Sequence, residues 1–227
     1  IDPANFIELS AEAGLSEQID QIVREKGLVA LRKLRDAGWN APRMSFNAGA
    51  RTLANADLVH QLVSEVLSLG LDPGDLVVEV RETDLRGPMK EATRSNLAAL
   101  SKAGFKIELD DFGAGFAALS TLTRMSISAL KIDETVIAPL PDPEAETMVR
   151  AILALAAELN IQVVAEGVET PAQFAILRKL GCHFAQGFGV SKPMPLDGLI
   201  AFMEGYGQAP VDLAAPQVLP EEATIPH

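Results

Sequence analysis

Ile107-Glu108-Leu109-Asp110-Asp111-Phe112-Gly113-Ala114-Gly115-Phe116 is the stretch on which the fold turns. Apolar and polar residues alternate up to Leu109, the two-residue period of a strand running toward a core. Two adjacent carboxylates stand at its end, and two glycines in a tight loop follow. Folding gains little from two acids side by side where a buried strand stops. A hard divalent cation accounts for them, because such cations take oxygen ligands. The stretch therefore points to metal chemistry at the mouth of a parallel sheet or barrel.

Outward from Asp110, the chain repeats one kind of unit. Helical periodicity runs through Ile19, Ile22, Val23, Ala30 and Leu34 and stops at Gly38. It resumes in Leu58, Leu62, Val66 and Leu69 and stops at Gly70. Leu97 and Leu100 precede Gly104, and Phe174, Leu177 and Leu180 precede Gly181. Glycine just past a helix accepts the left-handed conformation that ends it. Asn160 takes that role after a helix expected over 144–159. Strand-like runs follow these stops at 43–47, 76–81, 105–110, 161–166 and 182–186. A further run at 129–133 follows a short helix near 117–125. Alternation of this kind is the signature of βα units around a parallel sheet. Six strands are legible, and eight close a barrel. The expectation is an α/β fold, a modified TIM (β/α)8 barrel whose first strands lie upstream of this chain or are missing from it. An open doubly wound sheet competes, but no dinucleotide fingerprint opens the first unit. The barrel is expected over residues 1–205 and a proline-rich tail over 206–227.

Composition narrows the partners. The 227 residues carry a formal net charge of −12 and no basic run, which disfavours polymeric nucleic acid, bound through Lys and Arg. A small phosphorylated ligand remains open if metal ions supply positive charge. No apolar run reaches the roughly 18 residues of a membrane span. The chain starts Ile1-Asp2-Pro3, without Met, and reads as a piece that begins mid-domain. The single cysteine, Cys182, excludes an internal disulfide and suits a reducing cytoplasm. A cytoplasmic protein is expected, or the cytoplasmic part of a larger membrane-bound sensor. Cys182 itself reads as a buried, inert thiol, and His60 and His183 as structural.

In a parallel barrel, reactive groups sit where strands end and βα loops begin. The strand ends here carry Asn47; Glu79 and Glu82; Asp110 and Asp111; Lys131 and Asp133; Glu166, with Glu169 three residues on; and Gln186. A core-only account does not predict that regularity. Glu79, Asp110, Asp111 and Glu166 would converge at one rim, where they repel unless cations intervene. One or two Mg²⁺ or Mn²⁺ ions resolve the conflict. Two metals about 3.5–4 Å apart activate a water and stabilise both oxygens of an in-line displacement at phosphorus. Lys131 would orient the nucleophile or neutralise its charge, and Asn47 would complete a coordination sphere. Plainer readings stand beside these. Asn47 also suits a turn or cap, Glu79 and Glu82 suit solvated positions, Asp133 suits the cap of the next helix, and Gln186 suits a loop hydrogen bond. Asp111-Phe112-Gly113 copies the kinase metal triplet, but no Gly-rich loop or His-Arg-Asp precedes it. Gly113-Ala114-Gly115 is no P-loop, because no Gly-Lys-Ser/Thr follows.

Together these segments resemble the EAL domain family of bacterial cyclic-di-GMP phosphodiesterases, over residues 3 to about 203. Pro3-Ala4-Asn5-Phe6-Ile7 with Ala11-Glu12 resembles an early family segment. Glu79-Val80-Arg81-Glu82 is similar to Glu-Ile-Thr-Glu, and Asp110 to Gly115 to Asp-Asp-Phe-Gly-Thr-Gly. Lys131-Ile132-Asp133, Ala165-Glu166-Gly167-Val168-Glu169-Thr170 and Gln186-Gly187-Phe188 complete the series, with Asn47 in its place ahead of them. The resemblance implies a modified TIM barrel that opens cyclic-di-GMP to linear pGpG, with two Mg²⁺ or Mn²⁺ ions. It implies Asn47, Glu79, Asp110 and Asp111 as metal ligands. Glu166 would act on the attacking water as base or metal-bound partner, with Lys131 assisting. Glu169 and Gln186 would support site and ligand, with Asp133 beside them. Glu82 would hold the loop after Asp111 that couples the site to dimerisation. A homodimer is implied, and a sensory or GGDEF domain upstream. The Glu-Ala-Leu motif itself is not in this sequence, and its glutamate is expected on a strand ahead of Ile1. The loop reads Ala114, Phe116 and Ala117 where the family usually has Thr, Tyr and Ser, which removes hydroxyls but no ligand. A cyclic-di-GMP receptor that no longer cleaves, or a dimerisation module, is the alternative.

Overall fold

A computed structural model describes residues 14–40, 42–85, 91–114, 122 and 125–206. The expected early segment 3–12, most of the short helix near 117–125 and the tail past Tyr206 lie outside the described residues. Among those described, six strands form one sheet in chain order, every neighbouring pair parallel. They are β1 (Met44–Asn47), β2 (Leu76–Arg81), β3 (Lys106–Phe112), β4 (Ala129–Ile132), β5 (Gln162–Ala165) and β6 (Phe184–Ala185). The helices are α1 (Ser16–Asp36), α2 (Ala50–Leu53), α3 (Leu58–Ser68), α4 (Glu91–Ala103), α5 (Glu134–Ile137), α6 (Pro143–Glu158), α7 (Pro171–Leu180) and α8 (Leu196–Tyr206). This is the α/β arrangement of a partial TIM-type barrel, as the alternation of strand and helix leads one to expect.

Helix ends follow the chemistry read from the sequence. Asn160 and Gly181 both take left-handed φ, 54° and 80°, where α6 and α7 finish. Each also lets the chain turn directly into the next strand. At the start of α7, Thr170 and Gln173 form a reciprocal cap, each side chain satisfying a backbone N–H of the other.

The two faces of the sheet differ in kind. Phe46, Val78, Val80, Leu109, Leu130, Ile132 and Val163 pack against helix residues such as Leu62, Leu100, Ile152 and Leu177 in one continuous core. Successive residues of a strand alternate faces. Asn47, Glu79, Glu108, Asp110 and Lys131 therefore occupy the other face. Strands buried on both sides of a parallel sheet are usually apolar throughout. Here β2 and β4 are wholly or almost wholly buried, yet each carries a buried charged residue on that second face, Glu79 and Lys131.

One local expectation is corrected. Ile22 and Val23 belong to the helical apolar pattern but are about half exposed, at 51% and 55%. The buried stripe of α1 is instead Arg24, Leu28, Leu31 and Leu34. Gly27 lies on the same side, where a Cβ would meet the Met44 side chain of β1.

Candidate active site

Lys131 is the centre of the site. It lies mid-strand on β4 and is 4% exposed. Its Nζ lies 2.7 Å from Glu166 Oε1, 3.0 Å from Asp110 Oδ1 and 3.3 Å from Glu79 Oε1. Those carboxylates come from β2, β3 and the residue that follows β5. Four neighbouring strands thus each deliver one charge to one point. The strand register brings this about: Glu79 pairs with Glu108, Arg81 with Asp110, and Lys131 with Val164, two residues before Glu166.

The Asp110-Asp111 pair is shaped by a β-bulge. Leu109 pairs with Leu130 and Phe112 with Ile132, so β3 spends one residue more than β4 over this interval. Adjacent residues in a regular strand point to opposite faces; the extra residue re-aims one of them. Asp111 takes φ 57°, a left-handed conformation uncommon outside glycine, in which Asp is one of the more tolerant residues. The result brings carboxylate oxygens of Asp110, Asp111 and Glu166 within 4.8 Å of one another. The loop beyond is held by Glu82, buried, whose Oε2 accepts from Gly113 N at 3.4 Å.

One ammonium facing three carboxylates leaves surplus negative charge, and the side-chain acidities reflect it. Burial pushes Glu166 up to about 7, against the pull of Lys131 and with the help of Asp110. Burial raises Asp111 above the usual carboxylate range, reinforced by Asp110 and Asp133. For Lys131, burial works against the charge, yet Glu79, Glu166 and Asp110 outweigh it and hold the ammonium above its ordinary value.

The donor set fits a hard divalent cation. All its atoms are oxygens. Although Asp110 Oδ1 is in ionic contact with Lys131, it is fully buried and accepts no hydrogen bond among the described residues. Such an atom is costly unless something further satisfies it.

The remaining candidates fall around this cluster at different distances. Asn47 ends β1 beside Glu79 in register and is exposed. Asp133 caps α5, accepting from Thr135 N at 2.8 Å and from the Thr135 hydroxyl, so the capping reading describes its contacts. Glu169 is exposed, and its backbone N–H donates to Gln173. Gln186 is exposed where the β5–β6 pairing continues, its N–H donating to Ala165 O and its C=O accepting from Val168 N. It lines a cavity of about 380 Å³ with Phe188, Met194, Leu199 and Phe202. Cys182 is buried, its thiol pushed up to about 11 by desolvation, and His183 Nδ1 accepts from Val163 N.

Two residues at this site escaped the sequence reading. Glu108 lies two residues before Asp110 on the same face, and burial with Glu79 nearby raises its pKa. The strict alternation of β3 was the signal that placed it there. Gln173 is buried at 4% behind the Glu166 loop, and its place three residues after Thr170 was a readable cap signature.

Residues 1–193 match the family model described as EAL domain. Cyclic di-GMP phosphodiesterase NbdA of Pseudomonas aeruginosa is 35% identical over 207 residues, which is 91% of this chain and 26% of that protein. Bifunctional diguanylate cyclase/cyclic di-GMP phosphodiesterase MucR of the same organism is 38% identical over 204 residues, 88% of this chain and 29% of that one. The chain thus spans under a third of these curated relatives. A solved structure described as PaMucR phosphodiesterase in complex with c-di-GMP superposes with a TM-score of 0.81 at 38% identity, covering 88% of this chain and 81% of that one.

Proposed function

The chain belongs to the EAL domain family, and from that premise we propose that it is a metal-dependent phosphodiesterase that opens cyclic-di-GMP to linear pGpG. The observation that carries this reading is the convergence of Glu79, Asp110 and Glu166 on Lys131, with Asp111 bulged toward the same rim. A retired site has no need to keep these three acids gathered around one buried lysine.

EAL phosphodiesterases depend on metal, and in this proposal Asn47, Glu79, Asp110, Asp111 and Glu166 would hold two Mg²⁺ or Mn²⁺ ions. Bound there, such ions would acidify a water and offset charge on the phosphoryl oxygens. Glu166 would accept the proton of the attacking water, since its carboxylate lies within 4.8 Å of those of Asp110 and Asp111 in the proposed metal site. Water oxygen forms the new bond to phosphorus as the ester oxygen of the neighbouring ribose departs and takes up a proton. Lys131 holds Glu166 and Asp110 in place and limits the negative charge that the substrate phosphate meets. Gln186 and Glu169 would contact the ligand from the β5 and β6 loops. Glu82 would steady the loop after Asp111, and through that loop a homodimer.

The test is turnover by the purified protein with Mg²⁺ or Mn²⁺, followed as pGpG release. Expected are metal-dependent turnover and a loss of at least about 100-fold in Glu166→Gln, in line with removal of a general base. Binding of cyclic-di-GMP without turnover would replace this reading by a receptor. No binding in the presence of metal would favour a dimerisation module.

A further inference from the structure

Gln173 spans the gap between two elements that each carry part of the site. Its Oε1 accepts from the N–H groups of Glu169 and Thr170, both at 2.9 Å. Its Nε2 donates to Ile137 O at 3.3 Å. Only one orientation of the amide satisfies these partners, since two donors face one end and a carbonyl faces the other. Glu169 and Thr170 close the loop that begins at Glu166. Ile137 ends α5, which begins directly after β4 and Lys131. The side chain is 4% exposed and 36 residues away in sequence from Ile137.

A second contact lies between the same two elements. Gly167 follows Glu166 with φ 66°, and a Cβ there would lie 2.6 Å from Glu134 Cβ at the first turn of α5. The Glu166 loop is therefore pressed against α5 at one end and tied to it by Gln173 at the other. Glu166 N also donates to Ile132 O at 3.0 Å, which fixes the start of the loop to β4.

We propose that Gln173 is a positioning residue for the reaction: its amide sets the placement of Glu166 relative to Lys131 by fastening the β5–α7 loop to the end of α5. The inference rests on the proposed phosphodiesterase reading, and it reaches beyond a helix cap because the third partner lies outside α7. Capping asks of the Gln173 side chain only the Thr170 N–H; the bonds to Glu169 N–H and Ile137 O add nothing to the cap.

Two variants separate the roles. Gln173→Glu keeps an acceptor for Glu169 and Thr170 but loses the donor to Ile137. Gln173→Met removes both. The full-length protein is assayed for kcat and KM with cyclic-di-GMP, for the pH profile of kcat, and for Mn²⁺ affinity by calorimetry. For Gln173→Glu the expected result is kcat lowered at least ten-fold with KM within three-fold, a shifted acid limb in the pH profile and Mn²⁺ binding weakened at least three-fold. Gln173→Met is expected to weaken Mn²⁺ binding as much or more. Activity and Mn²⁺ affinity unchanged in Gln173→Glu would overturn the proposal, as would losses in both variants that simply follow the fraction unfolded. Should the wild type bind Mn²⁺ but not cleave cyclic-di-GMP, the phosphodiesterase reading fails, and the Mn²⁺ affinities alone still decide the role of Gln173.

Discussion

Glu166 shares the Lys131 ammonium with Asp110 and Glu79, and its raised pKa has a consequence for stability. The carboxyl moves from an ordinary 4.5 to about 7 on folding, chiefly because burial disfavours its charge. Between those values the folded protein holds a proton that the unfolded chain has released. By linkage, stability falls as pH rises through that window. The contribution is complete below 4.5 and gone above about 7. At about 1.4 kcal/mol per unit it amounts to a few kcal/mol at most. In metal-free protein, urea denaturation should therefore show stability decreasing toward pH 7. Glu166→Gln should flatten that profile, and Mn²⁺ should reverse it, because a cation favours the ionised form. A metal-free profile that rises through this window in the wild type would exclude the assignment.

The β3 bulge shows the same trade between stability and chemistry within one element. It holds Asp111 in a left-handed conformation with its carboxyl near Asp110 and Asp133. Asn tolerates that conformation as well as Asp does and carries no charge. Asp111→Asn is therefore expected to stabilise the metal-free protein by about 0.5–1 kcal/mol, the scale of a modest electrostatic relief. It should weaken Mn²⁺ binding at least ten-fold; thermal denaturation and calorimetry check the two halves. The pair was legible in the sequence as a charged strand end, and so were the glycine and asparagine helix stops. The bulge was not, because a strand register is set by the partner strand, and nothing in residues 107–112 records that β4 advances by one residue fewer. Lys131 was readable as an anomaly between Leu130 and Ile132, but its three partners required the register of four strands. Ile22 and Val23 misled for a related reason. Periodicity identifies a helix, while the face it buries depends on the partners it meets, here Phe46 of β1 and Glu65 on α3 against Arg24.

At the scale of the whole molecule, the helical layer is bound to the sheet partly through Arg24. Its guanidinium donates to both carboxylate oxygens of Glu65 on α3, at 2.7 and 2.9 Å, and lies 5.3 Å from the centroid of the Phe46 ring on β1. The side chains are 6% and 24% exposed, so Glu65 keeps some access to water when its partner is removed. Arg24→Met should cost about 2–3 kcal/mol, below the cost of breaking a fully buried pair. Arg24→Met with Glu65→Leu should recover most of that loss in urea denaturation, since it leaves no charge behind; failure to recover would mean that the stacking on Phe46 dominates. These contacts, like the apolar core, all lie on the helix-covered face of the sheet. The opposite face carries Glu79, Asp110 and Lys131, tied to one another by charge and not by apolar packing. A lineage can therefore exchange an acid such as Asp111 for its amide while keeping Lys131 and the scaffold, so loss of turnover need not entail loss of the protein, and a silent copy remains available for selection as a sensor.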